Sequence, residues 1–215
     1  MRQLPGSNTP SMGAVKGPRK TATPRDYLSW SQLTAFERGE YKEIYLMGRQ
    51  LDNKYLRLGK KVADAMEVGE SDEAGIEFLV NFFPKYQKRE FGLRTTFEGI
   101  PLYGKLDGFD MPPTPKIGEY KTGTKWTQSM VDASGQLTFY AILVWKCYGI
   151  KVEHIPIELH WAQTEPDGDE MRIAGPIKSF KTKRTMRDVL ALYTRMNKAW
   201  EGIQEISKEA FSIIK

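Results

Sequence analysis

The sequence has a single cysteine in 215 residues, Cys147, so no internal disulfide can form, and a reducing, cytoplasmic setting is the expectation. Long apolar runs are also missing. The longest, Tyr140 to Trp145, falls far short of the roughly 20 residues that a bilayer-spanning helix needs. No membrane partner is therefore expected, and no apolar stretch follows the first basic residue as a secretory signal would require. A G-x-x-x-x-G-K-[ST] phosphate loop is absent, which excludes an ATP motor built on it. Acidic residues are absent from the first 25 positions, which carry Arg2, Lys16, Arg19, Lys20 and Arg25. Removing those five from the 32 basic residues leaves 27, equal to the 27 acidic ones, so the arm holds the whole formal charge of +5. A neutral body with a basic arm fits an enzyme with an acidic centre better than a uniformly basic nucleic-acid coat.

What is present suffices for one sizeable core: 40% of the residues are hydrophobic and 12% aromatic. Residues 1–26, rich in Pro, Gly, Ser and Thr and without periodicity, are expected to form a flexible basic arm. Residues 27–215 are expected to form one domain. Ser29 or Ser31 can cap a first helix whose apolar side carries Leu33, Phe36, Tyr41, Ile44 and Tyr45. A second helix spans about 55–67, with Leu58, Val62, Ala65 and Met66 inward. A third runs from Ser71 to Phe83, before Pro84. Three extended runs follow, 90–98, 101–110 and 116–121, separated by turn-forming Glu98-Gly99 and Met111-Pro112-Pro113. Then come an apolar helix from Val131 to Tyr148 stopped by Gly149, a hairpin of strands 151–163 and 169–180, and a long helix over 184–210. This order predicts an α/β fold, a small mixed sheet flanked by helices.

The segment "GKLDGFDMPPTPKIGEYKTG", residues 104–123, carries the chemistry. Alternation along a strand puts Glu119 and Lys121 on one face, about 7 Å apart, and hairpin pairing brings Asp107 to the same end. Two neighbouring carboxylates repel, and a hard divalent cation relieves that repulsion. Such an ion neutralises charge developing at a phosphoryl group and acidifies a water, while a lysine beside it stabilises the transition state. E-x-K alone is equally well an ion pair on an ordinary strand. Asp110 rivals Asp107 but falls on the other strand face, beside a turn where an aspartate is unremarkable. Gln136 and Tyr140 lie one turn apart on a helix, a spacing that also suits a polar helix edge.

Taken together, Asp107, the turn, Glu119-x-Lys121, Thr122-Gly123 and Gln136-x-x-x-Tyr140 resemble the RecB-like exonuclease branch of the PD-(D/E)XK nuclease superfamily. "LSWSQLTAFERGEYKEIYLMG", "LGKKVADAME" and "EFGLRTTFEGIPLYGKLD" are similar to that branch's first two helices and the strands leading to its aspartate, so the likeness covers most of residues 27–148. The resemblance implies a restriction-endonuclease-like core. It also implies a Mg2+- or Mn2+-dependent deoxyribonuclease using one or two ions, a DNA substrate, and a place in DNA repair or recombination. Asp107, Glu119 and the Tyr120 backbone carbonyl would bind metal, with Lys121 catalytic and Gln136 and Tyr140 positioning. End-processing is the expected mode; a structure-specific endonuclease, or an inactive binding module of the same fold, is the alternative. A small-molecule phosphoesterase would leave the basic arm without a task. Where many members carry a metal-binding histidine this chain has Ala63, with Glu67 or Glu90 as substitutes. His154 and His160 are expected at the surface of a strand. One cysteine excludes the four-thiolate iron–sulfur cluster of some relatives. Lys178, Lys181, Lys183, Arg184 and Arg187, leading into the last helix with no acidic residue between, are expected to contact DNA. Basic charge there opposes the helix dipole unless phosphate answers it.

Overall fold

The computed structural model describes residues 25–212. Most of the expected arm, with Arg2, Lys16, Arg19 and Lys20, lies outside the described residues. Five strands form one sheet in the order β1 (Lys88–Phe97), β2 (Ile100–Asp110), β3 (Lys116–Gly123), β4 (Ile157–Asp167) and β5 (Glu170–Thr182). Every neighbouring pair is antiparallel except β3 and β4, which run parallel. Parallel neighbours need a long crossover. Here it contains α4 (Gln128–Asp132) and α5 (Gly135–Tyr148).

Helices cover both faces. On one, α1 (Trp30–Glu37), α5 and α6 (Met186–Ser212) enclose the main core. Most of α5 is apolar all round, and Leu137, Phe139 and Ala141 to Val144 keep no exposed surface, as befits a helix between a sheet and another helix. On the other face, α2 (Lys54–Val68) and α3 (Ala74–Phe82) bury Leu58, Val62, Ala65, Met66, Ile76, Leu79 and Val80 against Ala162 and Met171. Asn53 caps α2 by accepting from the Leu56 N–H at 3.0 Å. Gly69, at φ 99°, ends it in the left-handed conformation that glycine adopts without steric cost. No helix among the described residues is long and apolar enough to cross a membrane.

Two expected helices are divided. The first stops at Glu37, Gly39 turns the chain at φ 73°, and Ile44 and Tyr45 belong to a separate π-helical turn at Lys42–Leu46, which Tyr41 precedes as its N-cap. The apolar helix expected from Val131 is two, because Ser134 leaves helical geometry (ψ 111°) and caps α5. Residues expected to open β4 instead form a 3-10 turn, Val152–His154, which contains His154. His160 is on β4 but not at the surface. It keeps 0% of its area exposed, its Nε2 2.8 Å from Tyr86 Oη and its Nδ1 2.8 Å from Ser179 Oγ. Its face of the sheet is covered by Phe83, Tyr86 and Tyr120, so it is a core histidine.

Candidate active site

Strands β2 and β3 pair over three positions only, Gly108 to Asp110 against Lys116 to Gly118, and then part. Glycine is required at both Gly108 and Gly118. A Cβ at either would lie 2.3 or 2.2 Å from the Tyr86 ring, which rests across the two strands. Past this join β3 stays in register with β4, Glu119 opposite Leu159 and Lys121 opposite Trp161. Its other edge faces a fork. There the Tyr120 N–H, which β2 no longer meets, donates to Asp107 Oδ2 at 3.0 Å. In a strand the N–H and C=O of one residue point the same way, so the Tyr120 carbonyl also looks into the fork. The Tyr120 ring turns to the opposite face, stacked on Phe83 with its hydroxyl donating to the Pro84 carbonyl at 2.8 Å.

Asp107 reaches this position through an irregularity that simple alternation does not anticipate. Leu102, Gly104 and Leu106 face α5, as even-numbered residues should, yet Phe109 also faces α5, against Tyr148. The alternation slips between Leu106 and Phe109. Across the ladder, Glu90 is the one position between Lys88 and Phe97 without a partner, and it sits at φ 46°. A non-glycine residue in that region costs of order 1 kcal/mol and persists only where its surroundings enforce it.

Four polar side chains then connect in series. Glu119, only 1% exposed, forms an ion pair through Oε1 with Lys121; neither carboxylate oxygen sits in hydrogen-bond geometry with any group. The Lys121 ammonium donates to Gln136 Oε1 at 3.1 Å, and Gln136 Nε2 donates to Tyr140 Oη at 2.9 Å. Because an ammonium can only donate, Lys121 fixes which end of the Gln136 amide faces it. Burial, then the Glu119 charge, pushes the Asp107 carboxyl well above its ordinary value, against the opposing pull of Lys121 and the Tyr120 N–H. Burial works against the Lys121 ammonium, but Glu119 outweighs it and holds Lys121 above its ordinary value. Burial and the two carboxylates keep Tyr140 a phenol.

Asp107, Glu119, Lys121 and Gln136 line one cleft of about 430 Å³, with α2 as its far wall. Ala63, Glu67 and Glu90 line it too. Glu90 is paired with Lys105 at 2.6 Å, and Glu67 is exposed. Among the described residues no three His, Cys, Asp or Glu side chains are grouped to hold a metal ion. The donors on hand are therefore two carboxylates and a carbonyl, a set that suits an oxygen-seeking cation that keeps several waters. Two buried carboxylates against one ammonium leave an uncompensated negative charge, and Glu119 Oε2 lacks any partner; both observations fit such an ion. Asp110 is elsewhere, accepting from the Gln87 N–H at 3.0 Å and 3.7 Å from Lys116.

The basic cluster divides. Lys178, Lys181, Lys183 and Arg187 are exposed, but none lines the cleft. Arg184 is 1% exposed and unavailable to DNA. It donates to the carbonyls of Val131, Ser134 and Lys183 and to the Thr182 hydroxyl, pinning the α4–α5 junction. The start of α6 needs no phosphate either, since Asp188 accepts from the Thr185 N–H and hydroxyl, both at 2.8 Å. The cleft wall of α2, Tyr55, Leu56, Gly59 and Lys60, was not singled out by sequence reasoning. Tyr55 and Gly59 continue the helical stripe of Val62 and Met66, which also line the cleft, and Leu56 and Lys60 flank it.

No known family and no curated protein matches the sequence. A solved structure does match: that of a candidate exonuclease from Eubacterium rectale, with a TM-score of 0.55 and 13% identity, over 95% of this chain and 88% of that one. The chain has a restriction-endonuclease-like fold. At that identity the likeness concerns the fold, a mixed five-stranded sheet flanked by helices.

Proposed function

We propose that this protein is a metal-dependent deoxyribonuclease that hydrolyses phosphodiester bonds at DNA ends, of the RecB-like kind. The observation that carries the reading is the convergence of Asp107, Glu119, Lys121 and Gln136 on one cleft, with Tyr140 held behind Gln136, in a nuclease-like fold. Asp107, Glu119 and the Tyr120 carbonyl would hold magnesium or manganese. The bound ion supplies Lewis-acid stabilisation of phosphoryl charge and a more acidic water.

The remaining chemistry belongs to the chain. Lys121 has three N–H donors; it donates one to Gln136 and is held by its ion pair with Glu119, which leaves donor capacity for a phosphate oxygen. Its raised pKa keeps it an ammonium at neutral pH, so it donates and stabilises charge and does not act as a base. Gln136 and Tyr140 are positioning residues that aim the ammonium. Ala63 leaves the α2 side of the cleft without a histidine donor, and Glu67 or Glu90 would complete the set only after a side-chain movement, Glu90 first releasing Lys105. Lys178, Lys181, Lys183 and Arg187 would contact the DNA backbone beyond the cleft.

The test is end-labelled linear DNA beside closed circular DNA, each with magnesium and with EDTA. Degradation of the linear form alone, abolished by EDTA, is the expected result. Cutting of circles would mean an endonuclease, and no cutting of either would leave a binding module.

A further inference from the structure

Away from the cleft, α3 turns two phenylalanines outward. Phe78 and Phe82, one turn apart, keep 55% and 56% of their surfaces exposed. Their rings stack with centroids 5.7 Å apart, and Phe82 also meets Phe83 edge-on, yet more than half of each outer ring is left to water. The inner side of the helix, Ile76, Leu79 and Val80, already packs into the core shared with α2. A single exposed apolar residue is ordinary, but two adjoining aromatic rings on one stripe form a patch, and such patches mark docking surfaces. The charges beside this patch are sorted along the helix. Asp72 and Glu77 stand at its start and Lys85 three residues past its end. All three are exposed and without an ion-pair partner among the described residues, whereas neighbouring Glu73 pairs with Lys61 at 2.8 Å.

From this arrangement we infer that two copies of the chain pair through α3, antiparallel about a two-fold axis. Phe78 then packs on the partner subunit's Phe82, and Glu77 faces the partner subunit's Lys85. A two-fold interface presents one patch to itself, so only a self-complementary surface can form it. A stripe with acid at one end, base at the other and rings between is complementary to its own reversed copy. Antiparallel pairing also sets opposed helix dipoles side by side, whereas parallel pairing would put Asp72 and Glu77 beside their own copies. A foreign partner would have to match both signs; a second copy does so by symmetry. The patch also sets the strength of the pairing. A buried aromatic side chain covers roughly 150–250 Å², so two half-exposed rings bring on the order of 200 Å² from each copy. A stable complex buries about 800 Å² per partner, which makes this dimer a reversible one, with a Kd on the order of 10–100 µM. No residue of α3 lines the cleft, so the pairing uses none of its walls.

The test is sedimentation equilibrium of the full chain, without DNA or metal, so that its outcome is independent of the nuclease reading. Over concentrations from about tenfold below to tenfold above that Kd, the data should fit a monomer–dimer equilibrium. Phe78→Ser/Phe82→Ser should weaken association by about tenfold or more. Both rings lie mostly outside the core, so the variant should fold, as circular dichroism and thermal melting will verify. Glu77→Lys and Lys85→Glu should each weaken association by about threefold or more, because each sets like charges face to face. The combined Glu77→Lys/Lys85→Glu variant should recover the wild-type Kd, since every pair is then opposite again. That recovery is expected only where two like copies meet antiparallel. A chain that stays monomeric throughout overturns the inference and leaves the patch to a different partner. A dimer unmoved by the double serine variant, or charge reversals that do not rescue one another, overturns it equally.

Discussion

Replacing Asp107 with asparagine should stabilise the metal-free protein, and the structure gives the sign. Asparagine keeps a carbonyl oxygen for the Tyr120 N–H, now bonded at 3.0 Å, but removes the charge. Exchanging a carboxylate acceptor for an amide weakens that bond by about 1 kcal/mol. Against this stand two larger influences, burial of the charged carboxylate and repulsion from Glu119, which together push the Asp107 pKa well up. Leaving a charged group buried without full compensation costs about 1–3 kcal/mol or more, so removing that charge offsets the weakened bond, and a net gain on the order of 1–2 kcal/mol follows. For a domain of this size that is a rise in Tm of about 2–8 °C. An acid whose pKa is raised by folding is penalised wherever its unfolded carboxyl would be ionised, because the folded state must then take up a proton or bear the buried charge. The wild type therefore carries no penalty at acid pH, acquires it as pH rises from the unfolded value to the folded one, and keeps it above. Melting in EDTA at pH 7.5 should show Asp107→Asn above wild type, with the gap closing toward pH 4. Manganese should raise the wild-type Tm and leave the variant unmoved. A variant that melts lower than wild type in EDTA, or a gap that widens in acid, would refute the reasoning and make the Asp107 anion a structural brace for Tyr120.

Lys121→Ala should cut hydrolysis by about 100- to 1,000-fold while manganese still binds by calorimetry, and activity within a few-fold of wild type would make this lysine merely structural. His160 is held down to about 4 by burial, with Lys116 adding to that and Glu158 opposing it, so its neutral form is the folded one. Stability should hold above about pH 6.5 and decline by about 2–3 kcal/mol as pH falls through 4, read by urea unfolding; the same decline in His160→Gln would show that other groups cause it. Arg184→Ala should cost about 3 kcal/mol or more by leaving buried carbonyls without donors, without altering the salt dependence of DNA binding, whereas Lys178→Ala/Lys181→Ala should flatten that dependence at little cost in stability. Deleting residues 1–24 should lower the slope of log affinity against log salt by about 1–3 with the saturated rate preserved, and identical slopes would assign the arm no role in binding.

The grouping of Asp107, Glu119 and Lys121 is readable because Glu119 and Lys121 obey strand alternation, and Asp107 stands opposite Glu119 if the register of a short hairpin is continued. Alternation and the resemblance both favour Asp107 over Asp110, but alternation alone is an unsafe guide here, since the period slips between Leu106 and Phe109. Gln136 and Tyr140 were found from helical spacing, and nothing in that spacing revealed that their shared contact is Lys121. The misplaced residues share one cause. His160 alternates with apolar neighbours, which reads as a sheet wet on one side, but Phe83 and Tyr86, at and beyond the end of α3, fold back over it from far along the chain. Arg184 belongs to a run that looks solvated, and only the carbonyls of Val131 and Ser134, some fifty positions earlier, make it internal. Local pattern carries no record of such distant partners.

The three rungs joining β2 to β3 also have a mechanical meaning. The β1–β2 hairpin is one leaf and β3–β4–β5 the other, and the sheet's seam between them is its shortest ladder. The Tyr86 ring lies over that seam like a hinge pin, seated on Gly108 and Gly118 and tied by its hydroxyl to His160 on the second leaf. Asp107 rides on the first leaf and Glu119 on the second, one residue beyond the pin. The gap between the two carboxylates is thus the opening angle of a hinge, stiffened by the Asp107–Tyr120 bond that bridges it. A change at the seam therefore bears directly on the spacing of Asp107 and Glu119, while the pairing within each leaf stands apart from it.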